Sequence, residues 1–186
     1  MKAPTERTCP RRGFTLVEML VVIAIIVVLS GLTIAGLGYV NQKQAREQTK
    51  VQIGLLQMAL EEYKADTGEY PVHAVQSGEN GTPEIYDALY PFEADAEVYL
   101  SELDPENDSQ GWLQGQETQG GGLTIYDPWG GEYRYRTNNP NSSGESIAAN
   151  PDFDLWSAGP DGRTNPGSNG DYDPEHPDNL DDIRGW

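Results

Sequence analysis

Between Phe14 and Val40 the chain places 27 residues with a single charged side chain, Glu18. No other stretch restricts the fold so tightly, because a run this apolar is unfavourable in open water along its whole length. As an α-helix rising ~1.5 Å per residue it reaches roughly 40 Å, beyond the ~30 Å hydrocarbon thickness of a bilayer. It is long enough to span a membrane. A secretory signal peptide has an apolar region of about 7 to 15 residues and then a small-residue cleavage site, so an uncleaved anchor fits this run better. Glu18 stands out within it. A carboxylate at membrane depth costs roughly 2.5 to 3.5 kcal/mol on insertion scales and usually marks function, so a partner that neutralises it is expected.

Charge and cysteine usage narrow the setting. The chain has 186 residues and a net charge of −18. Lys2, Arg7, Arg11 and Arg12 precede the apolar run, a bias that holds the amino end in the cytoplasm and sends the carboxyl portion outward. From Phe14 onward there are eight basic and 29 acidic residues, a net charge of −21. Such a surface binds nucleic acid poorly, since that binding draws on Lys and Arg at phosphates. It suits calcium instead. The one cysteine, Cys9, lies before the run, so no disulfide is available after it and the exported part must be held by packing, assembly or metal.

The stretch Arg11-Arg12-Gly13-Phe14-Thr15-Leu16-Val17-Glu18-Met19 resembles the leader of type IV pilins and type II secretion pseudopilins. The resemblance implies that a prepilin peptidase cuts between Gly13 and Phe14, removes residues 1–13 and methylates the new amino terminus at Phe14. The spacing is chemically sensible. The freed α-amine lies one helical turn from Glu18, and pairs with Glu18 of its own chain or of a stacking neighbour, which is the family's proposed assembly contact.

From Asn41 the pattern becomes amphipathic. Val51, Leu55 and Ala59 form one row with Ile53, Leu56, Leu60 and Tyr63 beside it, while Lys43, Arg46, Glu47, Lys50, Glu61 and Lys64 fall mainly elsewhere on the wheel. One helix from about Thr15 to Asp66 is predicted, stopped by Gly68 and Pro71. The ending Ala59-Leu60-Glu61-Glu62-Tyr63-Lys64-Ala65-Asp66-Thr67-Gly68-Glu69-Tyr70-Pro71 looks like that of the major pseudopilin subgroup.

Residues 72–122 are the least patterned. Thr82-Pro83-Glu84 introduces a short helix carrying Ile85, Leu89 and Tyr90, Glu97 to Leu103 makes a second short element, and Gln110 to Gly122 reads as a surface loop. Alternation returns at Leu123-Thr124-Ile125-Tyr126 and again at Glu132-Tyr133-Arg134-Tyr135-Arg136, on either side of Asp127-Pro128-Trp129-Gly130-Gly131, which predicts a hairpin. Phe153 and Leu155 mark a third strand. Trp129 and Trp156 are read as packing residues. The fold class expected is α+β and pilin-like: a long N-terminal helix, half transmembrane and half amphipathic, packed on a small antiparallel β-sheet. Its parts are a leader (1–13), a transmembrane or filament-core helix (14–40), an amphipathic helix (41–71), a variable loop region (72–122) and a sheet with an acidic loop (123–186).

Asp154-Leu155-Trp156-Ser157-Ala158-Gly159-Pro160-Asp161-Gly162 and Asp181-Asp182-Ile183-Arg184-Gly185-Trp186 resemble the start and close of the calcium loop of major pseudopilins. The resemblance implies a structural calcium held by Asp161, by backbone carbonyl near Ser157 and Ala158, and by Asp181 or Asp182, with Asp171 or Asp173 as substitutes. Calcium takes six to eight oxygens, and the spacing is not that of an EF-hand. The competing reading is a solvated acidic tail. His73 and His176 have no partner at metal or triad spacing and read as surface residues, so no enzyme is expected.

The resemblance implies a structural subunit that works with prepilin peptidase, self-associates into a helical filament and meets other pseudopilins and an inner-membrane assembly platform. Its localisation would be the inner membrane, single pass, with the globular part in the periplasm. A type IV pilin or minor pseudopilin would use the same leader. A membrane-anchored calcium-binding module that never polymerises is the rival of another class.

Overall fold

Thr15 precedes the first helical residue with its side chain in place to cap, and from Leu16 the chain has no proline until Pro71. In a computed structural model, described for residues 13–72, 82–92, 95–108, 110–113, 123–138, 148–165, 167 and 172–186, this stretch forms α1, Leu16–Thr67. Gly68 ends it at φ +90°, a left-handed conformation that favours glycine, and its N–H reaches back 2.8 Å to the Lys64 carbonyl. The helix ends where the sequence places its stop. The leader residues 1–12, His73 and Asp171 lie outside the described residues.

The chain divides between Asn41 and Gln42. Before the division, large apolar side chains of α1 are exposed, Leu20 at 61% and Ile26 at 56% among them. The side chains of residues 32–37 are not among those described, and among the described residues no helix is long and apolar enough to cross a membrane.

After the division, α1 buries one stripe. Ile53, Leu56, Ala59 and Leu60 follow the 3-4 spacing that keeps side chains on one face. They enter a core completed by Ile85, Leu89, Trp112, Tyr133, Tyr135 and Leu155. Burying a leucine contributes about 1.5 to 3 kcal/mol, so Leu56 and Leu60, both fully buried, are among its largest apolar terms. A short helix α2, Thr82–Leu89, adds Ile85 and Leu89, as its sequence predicts. The second expected short element is a 3-10 turn at Ser101–Leu103, with Leu103 buried.

The sheet has three antiparallel strands in the order β1, Arg134–Thr137; β2, Phe153–Ser157; and β3, Ile183–Arg184. Its make-up differs from the predicted one. Leu123 to Tyr126 is not a strand of the sheet, but the predicted hairpin turn is present as bridges: Tyr126 pairs with Glu132 and Ile125 with Leu113, the Tyr133 N–H reaches the Ile125 carbonyl at 3.1 Å and the Asp127 N–H that of Gly131 at 2.8 Å. On its other edge the Tyr126 N–H donates to the carbonyl of Trp112 at 2.7 Å. Trp112, in a stretch read as surface loop, is 1% exposed, its N–H and that of Leu113 both held by the Asp108 carboxylate. The third strand comes instead from Ile183–Arg184, in the segment assigned by the sequence to the close of the acidic loop.

Pairing of Tyr135 with Leu155 and of Arg134 with Trp156 and then Arg184 sorts the side chains to two faces. Tyr135 and Leu155 belong to the core; Trp156, on the other face, lies 5.3 Å from the Arg136 guanidinium and 6.0 and 6.3 Å from the rings of Trp186 and Tyr172. That second cover makes β2 buried along its whole length. Two buried hydroxyl contacts tie this region to the middle of α1 and to the segment after it: Tyr133, just before β1, donates to Gln52 at 2.6 Å, and Tyr135 to the Pro71 carbonyl at 3.0 Å. Burial pushes both phenols well above their ordinary range, so they remain donors.

Candidate functional site

Two places carry the residues singled out from the sequence. At the first, Gly13 and Phe14 are exposed and lie just before α1. Glu18 stands at the third position of the helix, where a carboxylate reaches back over the first turn. Its Oε2 accepts from the Thr15 N–H and from the Thr15 hydroxyl, both at 2.8 Å, and the Glu18 N–H donates to the Thr15 Oγ1 at 3.2 Å. This is a reciprocal cap, written in the sequence as Thr-x-x-Glu. Besides the amine at Phe14 expected to answer it, Glu18 has Thr15 as a partner. The cap holds the carboxylate beside residues 14 and 15 and ends both hydrogen bonds on one oxygen.

The second place is the acidic loop after β2. Ser157 and Ala158 are buried. The Ser157 hydroxyl donates to Asp127 Oδ2 and accepts the Gly159 N–H at 3.0 Å. Asp127, 2% exposed, also accepts through Oδ1 from the N–H groups of Trp129 and Gly131, at 3.0 and 2.8 Å. A buried carboxylate is costly without such donors. One side chain therefore fixes the Asp127–Gly131 turn to the end of β2, a role the sequence reading left out.

Gly159 adopts φ +66°, and a Cβ built there would meet the Asp181 carbonyl oxygen at 2.5 Å and Asp181 Oδ2 at 3.0 Å. The close approach brings Asp161 to Asp181, whose Oδ2 accepts the Asp161 N–H at 3.2 Å, while Asp161 Oδ1 accepts from the Arg163 N–H. Asp182 faces another way. Its Oδ2 accepts from the hydroxyls of Thr164 and Tyr172, each at 2.7 Å, and its Oδ1 is buried with no hydrogen-bond partner. Burial pushes the Asp182 carboxyl above its ordinary range, with Asp181 and Asp161 adding to the rise and the two hydroxyls opposing it.

Asn179, 4% exposed, sets the rest of the loop: its amide donates to the carbonyls of Asn165 and Asp173, and its Oδ1 accepts from the Asn165 N–H. Asp173 caps its own turn, with Oδ1 accepting from the Glu175 N–H at 2.9 Å. His176 is half-buried, its Nδ1 accepting from the Asp178 N–H at 3.2 Å. Oxygen donors suited to a hard cation thus gather at Asp161 and Asp181, and Asp182 contributes an unpaired buried oxygen nearby in sequence. Among the described residues no three or more His, Cys, Asp or Glu side chains are grouped so as to hold a metal ion.

Comparison with known proteins bears on the amino-terminal stretch and on the chain as a whole. The family described as the prokaryotic N-terminal methylation motif matches residues 9–34. The type II secretion system core protein G of Escherichia coli (strain K12) is 30% identical over 155 residues, covering 83% of this chain and 86% of that protein. The protein of the same name from Pectobacterium carotovorum subsp. carotovorum is 30% identical over 179 residues, 95% of this chain and 85% of its own length. That from Klebsiella pneumoniae is 28% identical over 176 residues, 95% and 94%.

Proposed function

Because this chain belongs to the family of the type II secretion system core protein G, the major pseudopilins, we propose that it is a structural subunit of a secretion pseudopilus and supports protein export as part of a filament. Prepilin peptidase cuts between Gly13 and Phe14 and methylates the amine of Phe14. The apolar helix holds the subunit in the inner membrane with residues 42–186 in the periplasm, and then packs among the helices of its neighbours. Other pseudopilins and an inner-membrane assembly platform are its partners. The chain is no enzyme.

The observation that carries this reading is the first part of α1, where Leu16, Leu20, Ile23 and Ile26 are all more than half exposed beside one carboxylate. A surface this apolar is covered by lipid or by other copies. Glu18, already turned back over residues 14 and 15 by its cap, is left with Oε1 for the new amine, its own or a neighbour's. Glu18→Ala is expected to insert and be cut at Gly13, yet yield no filaments when the full chain is expressed with its peptidase and assembly machinery. Filament yield equal to wild type in that variant sinks the reading.

Calcium belongs to this proposal as a structural ion. Asp161 and Asp181, with carbonyl oxygens near Ser157 and Ala158, are the residues that would hold it, and its charge would offset the repulsion among Asp161, Asp181 and Asp182. A ligand that binds the folded state alone raises stability by about 2.7 kcal/mol at a hundredfold excess over its dissociation constant. Melting temperature is therefore expected to rise with millimolar calcium in the wild type and to stay unchanged in Asp161→Ala. A wild type indifferent to calcium reduces the loop to a solvated acidic segment.

A further inference from the structure

Within residues 42–186, the buried stripe of α1 occupies one side of the helix. At 100° per residue Arg46 and Lys50 fall on one flank of that stripe and Glu62 and Asp66 on the other. All four are exposed. Among the described residues Arg46, Glu62 and Asp66 have no ion pair, and Lys50 shares its charge with the exposed Glu47 at 3.0 Å. Exposed pairs of this kind are weak and exchange readily. Copies that each carry a net charge of −21 repel one another, so stacking them needs local attraction.

The spacing selects what answers these charges. Arg46 to Glu62 and Lys50 to Asp66 are the same step, 16 residues, which corresponds to about 24 Å of rise and about 160° of turn. Two parallel copies of one helix meet through faces roughly half a turn apart, so a single axial displacement of about 24 Å sets both cations against both carboxylates at once. Resting on the filament reading, we propose that Arg46 and Lys50 of one copy pair with Glu62 and Asp66 of the next. Such a contact uses two different faces, is heterologous and propagates without closing, as an open filament requires. Anionic lipid headgroups would engage the cations and give Glu62 and Asp66 no part.

The full chain, expressed with peptidase and assembly machinery, supplies the test. Arg46→Glu with Lys50→Glu, and separately Glu62→Lys with Asp66→Lys, are each expected to lower filament yield at least about tenfold, because attraction becomes repulsion; all four changes together restore it to within about twofold. The chain after Gly13 has no cysteine, so Arg46→Cys with Glu62→Cys is expected to give a disulfide-linked ladder between copies on oxidation, and Arg46→Cys with Met58→Cys none. A wild type that makes no filaments overturns the filament reading itself. Wild-type filaments with no ladder, or a fourfold variant that melts like wild type and still fails to assemble, overturn this contact alone. Unchanged yield in Arg46→Glu with Lys50→Glu, alongside lost binding to phosphatidylglycerol vesicles, assigns the cations to lipid and overturns it as well.

Discussion

Leu20 and Leu60 belong to the same helix, yet one is 61% exposed and the other fully buried. The first part of α1 is apolar all round, so no rotation about its axis could hide it behind a single small domain. The second is apolar on one stripe, and its own chain supplies the cover: Ile85 and Leu89 from α2, Tyr135 from β1 and Leu155 from β2. The difference separates two uses of hydrophobicity. One part of the helix specifies a tertiary structure, and the other specifies an environment.

Aspartate at position 60 and at position 20 breaks the comparison most sharply. Leu60→Asp places an unpaired carboxylate in a closed core and is expected to cost more than about 4 kcal/mol, read as loss of the cooperative melt of residues 42–186. Leu20→Asp should leave that melt unmoved and appear only as failed insertion or assembly. Equal melting temperatures for Leu60→Asp and wild type would show that the stripe does not hold the fold.

A smaller effect is expected at Asp127, which tests whether the cover depends on polar ties as well as on apolar area. Asp127→Ala strands the N–H groups of Trp129 and Gly131 and the Ser157 hydroxyl, a loss of about 1 to 3 kcal/mol by denaturant unfolding. The smallest concerns the approach of β3 to the helix. A Cβ at Gly185 would lie 2.7 Å from Gln57 Nε2 and 3.0 Å from Ile53 Cγ2, so Gly185→Ala should cost about 1 kcal/mol, the glutamine amide giving way more easily than backbone would. A variant as stable as wild type would mean that this edge is loosely packed.

The legible parts of the molecule were those whose signal is local. The helix end at Gly68, the Thr-Pro-Glu start of α2 and the alternation of Phe153 and Leu155 each specify their own conformation, and each stands where the sequence put it. Trp112 was missed because a lone aromatic among glycine and glutamine has no periodicity, and its burial depends on Asp108 and Tyr126 acting from either side. Strand β3 was missed for a related reason: two residues after Asp181 and Asp182 carry no alternation, and β2 alone makes them a strand. At the amino-terminal site the cap has a local signature, Thr15-x-x-Glu18. In the acidic loop the approach of Asp161 and Asp181 follows from Gly159, whereas the organising part of Asn179 depends on Asn165 and Asp173 across a loop and has no local signature.

The hydrogen bond from Gln57 to the Gly185 carbonyl joins residues 128 apart in sequence at 2.7 Å. Contacts of such long range form late, because the intervening chain must first be brought together. During synthesis α1 is therefore complete well before the strand that finishes its cover has been made. A chain stalled or clipped ahead of residue 183 keeps α1 but lacks β3 and the Gly185 backbone that closes on Ile53 and Gln57. Such a product leaves part of the buried stripe open to proteolysis, so closure of the last strand marks a finished fold.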